Sequence, residues 1–135
     1  MFGATRRFTA RREAGCVAER SIAGLPVRTA LRVRVYVGER DHYGRQPTFT
    51  AVVDAARKAG IAGASVFKGI EGYGAHAVVH VARVIDVAAD LPILIELIDA
   101  PERIEAFLPA LRGMVREGLV SVEEIAVVGG AAPSA

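Results

Sequence analysis

The sequence predicts an α+β fold, a two-layer sandwich of ferredoxin-like type with two helices on one face of a single sheet. Three observations carry that reading. Leu31, Val33, Val35 and Val37 alternate with Arg32, Arg34 and Tyr36, the mark of a half-buried strand. Two stretches of helical spacing, around Val52 and around Leu111, each follow one strand and precede another. At 135 residues, 52% hydrophobic and 24% charged, the chain can bury one core and is too apolar for a disordered polymer.

Residues 1–28 carry six arginines against Glu13 and Glu19, a charge of +4 against +2 for the whole chain, so the remainder is mildly acidic at −2. This stretch reads as a basic, disordered extension, or as sequence ahead of a misplaced start, with the domain over residues 29–129. No nucleic-acid partner is expected, because phosphate binding needs cations on the folded surface or a committed basic arm. No apolar run approaches the ~18 residues of a membrane span. Cys16 is the one cysteine, which excludes an intrachain disulfide and a cysteine-only zinc site and suits a reducing cytoplasm.

The elements follow in order. The strand at Leu31–Val37 runs into a polar loop, Gly38 to Arg45. Phe49, Val52, Val53 and Ala56 then recur at helical spacing, with Pro47 suited to the first turn and Gly60 as the stop. Ala64 to Ile70 is the second strand, and valine-rich Ala77 to Val87 reads as an additional strand that extends a hairpin. After Asp90-Leu91-Pro92 comes an apolar strand, Ile93 to Ile98, carrying one acid, Glu96. Asp99-Ala100-Pro101-Glu102 opens the second helix, with Pro109 inside it and expected to kink it. Gly118 ends that helix, Leu119 to Val128 is the last strand, and residues 130–135 form a flexible tail. The helices cover one sheet face, and the apolar residues left on the other call for a second copy of the chain.

The most informative local feature is Gly69-Ile70-Glu71-Gly72-Tyr73-Gly74, entered from a strand ending at Lys68. Three glycines in six residues permit positive φ and close approach by another group, and such a loop can cradle an anion or simply turn. Tyr73 is open to two roles, an exposed stacking residue or a ring packing the hairpin. The loop at Gly38 and Glu39 stands before a helix N-terminus, which favours anions, and Arg45 could grip phosphate or carboxylate there. Glu96, in an apolar strand, needs a cation such as Arg34 or Arg83. His76 and His80, four apart on a strand, lie roughly 13 Å from each other, so one metal ion would need a turn between them. No nucleophile elbow, Walker loop or dinucleotide fingerprint is present, and no enzymatic activity is expected.

Val37-Gly38-Glu39-Arg40, Ala59-Gly60-Ile61-Ala62-Gly63-Ala64 and Gly69-Ile70-Glu71-Gly72-Tyr73-Gly74 resemble the small PII-like proteins catalogued as domain of unknown function 190. His80-Val81-Ala82-Arg83, Asp90-Leu91-Pro92, Phe107-Leu108-Pro109 and Glu117-Gly118-Leu119-Val120 continue the match over roughly residues 31–128. The resemblance implies a PII-like βαββαβ sandwich, a trimer, and adenine nucleotides or related anions bound in clefts between subunits. It implies a ligand site at Gly38, Glu39, Arg45, Lys68, Gly69, Glu71, Gly72, Tyr73, Gly74 and His80. It also implies a regulatory role toward a protein partner in the cytoplasm. Some relatives are associated with a fluoride-export channel, so a membrane transporter or channel is one such partner.

PII proteins hold phosphates with a Gly-Asp-Gly-Lys-type stretch between the second helix and the last strand. The sequence aligns Val120-Ser121-Val122-Glu123-Glu124 there, whose acids would repel a triphosphate. Two alternatives stand beside nucleotide sensing: a metal-binding trimer of copper-tolerance type using His76 or His80, and a structural adaptor without a ligand.

Overall fold

The structure, a computed structural model, describes residues 20–74, 80–81 and 90–129. Among the described residues four long strands form the body of the main sheet, which the short Ser21–Ile22 joins as a fifth: β1 (Leu25–Gly38), β2 (Gly63–Lys68), β3 (Pro92–Asp99) and β4 (Leu119–Val128). Helix α1 (Thr48–Lys58) joins β1 to β2, and α2 (Pro101–Met114) joins β3 to β4. The order across the sheet is β4–β1–β3–β2, with every neighbouring pair antiparallel. The two β-α-β halves therefore interleave, as the ferredoxin-like expectation requires.

Strand alternation places the core. Val33, Val35 and Val37 stand opposite Leu97, Ile95 and Ile93, and all six side chains are buried on one face. Val52 and Ala56 of α1 and Ile104, Phe107 and Leu111 of α2 close over them. Each fully buried Val, Leu or Ile contributes about 1.5–3 kcal/mol relative to exposure.

Both ends of α1 and the start of α2 follow the sequence signals, whereas α2 stops at Met114, with Val115 already extended, four residues ahead of the expected stop at Gly118. Pro47 is the N-cap of α1, and the Thr48 N–H is satisfied by the Asp41 carbonyl at 2.8 Å. At the other end the Gly60 N–H donates to Arg57 O and the Ile61 N–H to Ala56 O, a Schellman stop. Pro101 occupies the first turn of α2. Pro109 lies inside that helix, which continues through it to Met114. Both Pro109 and Glu105, whose carbonyl a residue at 109 would have bonded, are exposed, so water can take the orphaned acceptor.

One boundary is corrected. The first strand starts at Leu25 rather than Leu31, and Ser21–Ile22 pairs back on Leu25–Pro26. Ala23 and Gly24 both have positive φ, as a two-residue type I′ turn demands. The expected extension over residues 1–28 thus overlaps the sheet. The cause is a long-range pairing that alternation cannot reveal, since Val27 to Ala30 stand against Ile125 to Val128. Residues 1–19 and 130–135 lie outside the described residues. Of the expected strand over residues 77–87, His80–Val81 is described and pairs with Glu71–Gly72; the rest lies outside.

Candidate functional site

Three chain segments meet at the end of the sheet where β1 and β2 finish and β3 begins. The Gly38 N–H donates to Asp41 Oδ2 at 2.8 Å, closing a tight turn after β1. The next N–H, of Glu39, donates to Leu91 O at 2.9 Å, and that of Arg40 to Asp90 Oδ1 at 2.9 Å. From β2, Lys68 Nζ reaches Glu39 Oε1 at 2.7 Å. One residue later the Gly69 N–H donates to Pro92 O at 2.7 Å.

The glycine signature is explained by this junction. A Cβ on Gly69 would stand 2.6 Å from Pro92 Cγ, and one on Gly72 would stand 3.0 Å from the same atom. Neither glycine, nor Gly74, has positive φ. Close approach, the second of the two reasons glycine is used, is therefore the one at work. Of the two roles open to this loop, an anion cradle or a turn, the Gly69 N–H serves the turn, because it donates to Pro92 O. Gly38 is held in the same manner, since a Cβ there would meet Asp90 Oδ2 at 2.8 Å.

The other expected site residues divide. Lys68, Gly69 and Glu39 are brought together, with Gly38 behind them. Glu71 and Gly72 extend away, paired to Val81 and His80. Tyr73 is 72% exposed, which agrees with an outward ring rather than one packed in the hairpin. Gly74 has nothing within 4 Å of a built Cβ. Arg45 is exposed on the turn of a small hairpin, His42–Tyr43 with Gln46–Pro47, ahead of α1. His80 is described through its backbone pairing alone, and His76 and Arg83 lie outside the described residues. Among the described residues no group of three or more His, Cys, Asp or Glu is placed to hold a metal ion.

Asp90-Leu91-Pro92 enters the sequence reading as a strand break and part of the resemblance, and Asp41 as a member of the polar loop, but not as site residues; Asp41, Asp90 and Pro92 nonetheless build the junction. The available signal was positional: an aspartate three residues after the strand-ending glycine is suited to accept that glycine's N–H.

The sheet face away from the helices carries a second constellation. Arg34 Nε lies 3.1 Å from Glu96 Oε2, both half-buried, which selects Arg34 as the cation Glu96 needs. Arg32 Nε lies 2.7 Å from Glu123 Oε1, and Arg34 Nη1 is 3.6 Å from the same oxygen. The hydrogen bond from Arg32 holds the Glu123 carboxyl below its ordinary range, and the same bond raises the Arg32 guanidinium. One row nearer the junction, Leu119, Tyr36, Leu94 and Phe67 stand side by side across all four strands. The alignment of Val120–Glu124 with a phosphate-holding loop is corrected here. Those residues lie within β4, Glu123 is engaged by Arg32, and the connection from α2 is residues 115–118.

An antiparallel β4–β1–β3–β2 sheet with two helices on one face is the architecture shared by PII-like and CutA-like proteins. The chain is similar in fold to CPII of Thiomonas intermedia K12, a nitrogen regulatory PII-like protein bound to ADP, AMP and bicarbonate. The TM-score is 0.59 at 16% identity, covering 76% of this chain and 92% of that one. CutA1 of Oryza sativa is similar at a TM-score of 0.50 and 14% identity, covering 76% and 84%. The profile of domain of unknown function 190, described as Uncharacterized ACR, matches residues 30–127, and the chain belongs to that family. A UPF0166 protein of Aquifex aeolicus is 28% identical over 96 residues, 71% of this chain and 90% of that protein.

Proposed function

We propose that this protein is a PII-like regulator that binds a small anion, an adenine nucleotide or a related one, where Glu39, Lys68 and Gly69 meet. The observation that carries this reading is Lys68. It places a half-exposed ammonium at the base of the glycine segment, beside a backbone junction made rigid by hydrogen bonds to Asp41, Asp90, Leu91 and Pro92. A cation beside a closed, hydrogen-bonded backbone corner is a natural anchor for an anion. The fold likeness to a protein bound to ADP and AMP supports the choice of adenine nucleotides.

The site would be completed by a neighbouring copy in a homotrimer, with Arg45 and the segment around Tyr73 at the cleft. The row Leu119, Tyr36, Leu94 and Phe67 supports such an assembly, because Leu119, Tyr36 and Phe67 are large, exposed side chains side by side, and a contiguous exposed apolar patch marks an interaction surface. The protein acts by binding, in the cytoplasm, and passes occupancy to a protein partner, for which a transporter or channel is one candidate. Among the described residues no helix is long and apolar enough to cross a membrane.

Thermal unfolding of the full chain with AMP, ADP, ATP and divalent metals tests the reading. A nucleotide at ~100 times its Kd stabilises the fold by about 2.7 kcal/mol, and Lys68→Glu abolishes the shift. A response to metals alone would overturn the nucleotide reading in favour of a histidine site, and silence across the set would leave a protein partner as the ligand.

A further inference from the structure

We infer that Glu39 is a built-in competitor for the anion site, occupying Lys68 until a ligand displaces it. This rests on the anion-binding reading above and specifies how that site is regulated.

Lys68 Nζ and Glu39 Oε1 are 2.7 Å apart, with the two side chains 54% and 35% exposed. An ion pair so open to water is weakly held. The backbone around Glu39 is not. Its own N–H is bonded to Leu91 O, the N–H before it to Asp41, and the N–H after it to Asp90. The acids of the junction are thereby divided by task. The carboxylates of Asp41 and Asp90 accept backbone N–H groups and hold the loop. That of Glu39 bonds a side chain, so it can swing off Lys68 by rotation about its own χ angles while the loop stays in place.

An anion reaching Lys68 must take over the ammonium and stand beside a carboxylate. Both effects weaken its binding, and both disappear when Glu39 is neutral. Anions of higher charge gain more from the lysine but are also repelled more by the carboxylate, so the pair lowers the affinity for every anion until Glu39 turns away from the site. Glu39 thus sets affinity by opposing the ligand, rather than by contacting it favourably.

The test is calorimetric titration of the full chain with ADP, comparing wild type, Glu39→Gln, Lys68→Gln and the double variant. The amide retains the size of Glu39 and leaves the Glu39 N–H bond to Leu91 intact. Glu39→Gln is expected to tighten ADP binding about three- to tenfold. The double variant is expected to gain less over Lys68→Gln than Glu39→Gln gains over wild type, because the competition for the ammonium vanishes with the lysine and only the direct repulsion is left to relieve. Equal or weaker binding by Glu39→Gln, with wild type still binding ADP, would overturn the competitor role and leave the site standing. Absence of ADP binding in both wild type and Glu39→Gln would overturn the site, and the competitor role with it.

Discussion

Gly69 and Pro92 meet in two ways at once: the Gly69 N–H donates to Pro92 O at 2.7 Å, and the glycine Cα faces the proline ring. A methyl group on Gly69 would stand 2.6 Å from Pro92 Cγ and 3.1 Å from Pro92 O. One obstacle is a ring at the start of a strand and the other is backbone, and neither can move without disturbing the β2–β3 register. Gly69→Ala is therefore expected to destabilise the fold by about 1–3 kcal/mol. Gly74→Ala, with nothing within 4 Å of its built Cβ, is expected to stay within about 0.5 kcal/mol of wild type. Urea unfolding of the two variants checks this, and equal effects would show that Pro92 does not set the glycine requirement.

Asp99 makes a second prediction away from the site. It is 4% exposed, and its two oxygens accept the Ala62 N–H at 3.0 Å and the Ala100 N–H at 2.7 Å. One carboxylate thus ties the approach to β2 to the start of α2. Asp99→Ala leaves both donors without their acceptor in a poorly hydrated place, at a cost of about 2–4 kcal/mol. Asp99→Asn retains one acceptor oxygen and is expected to lose less. Denaturant midpoints order the three proteins, and a milder effect for alanine than for asparagine would contradict this role.

The strands and helices were legible because their signals are local. Alternation at Leu31–Val37, the Pro47 and Gly60 signals and the Asp99-Ala100-Pro101-Glu102 opening each depend on neighbours in sequence. The start of β1 at Leu25 was not legible, because Val27 to Ala30 are ordered by partners near residue 127. The site was half legible. Lys68, Gly69 and Glu39 were named from residue type and resemblance, but the reason for the glycines was a proline more than twenty residues away. The phosphate-loop comparison misplaced Val120–Glu124, because a short gap between helix and strand can be slid along an alignment without changing its apolar pattern. In the structure the cross-strand partner Arg32 fixes Glu123 within β4.

The proposed assembly makes the open face sensitive to charge. Phe67 is 52% exposed at the β2 end of the row formed with Leu94, Tyr36 and Leu119. Phe67→Asp puts a carboxylate into a surface that would be dry between copies, while costing the isolated subunit little because the ring is half in water already. Sedimentation velocity is expected to show a shift from trimer to monomer with the circular dichroism spectrum preserved. A wild-type monomer, or a trimer unaffected by the aspartate, would remove this face from the assembly.

Glu123 gives the fold a pH dependence of definite sign. Its pKa is lowered in the folded state, first by the hydrogen bond from Arg32; burial opposes this as the next largest effect, and the charges of Arg32 and Arg34 add smaller lowering contributions. A group with a depressed folded-state pKa contributes stability that is fully present above its unfolded-state value and is lost as the pH falls through the folded-state value. Arg32 moves the other way, its raised pKa leaving it charged in both states throughout this window. Between about pH 6 and about pH 3, wild type is therefore expected to lose more stability than Glu123→Gln, which has no proton to take up. Both side chains are open to solvent, so the difference should shrink in ~1 M salt, where charges are screened within about 3 Å. Urea midpoints across that range, at low and high salt, decide the matter. Parallel pH profiles would mean that the Arg32–Glu123 pair contributes nothing to folding, and a larger acid loss in the glutamine variant would reverse the sign argued here.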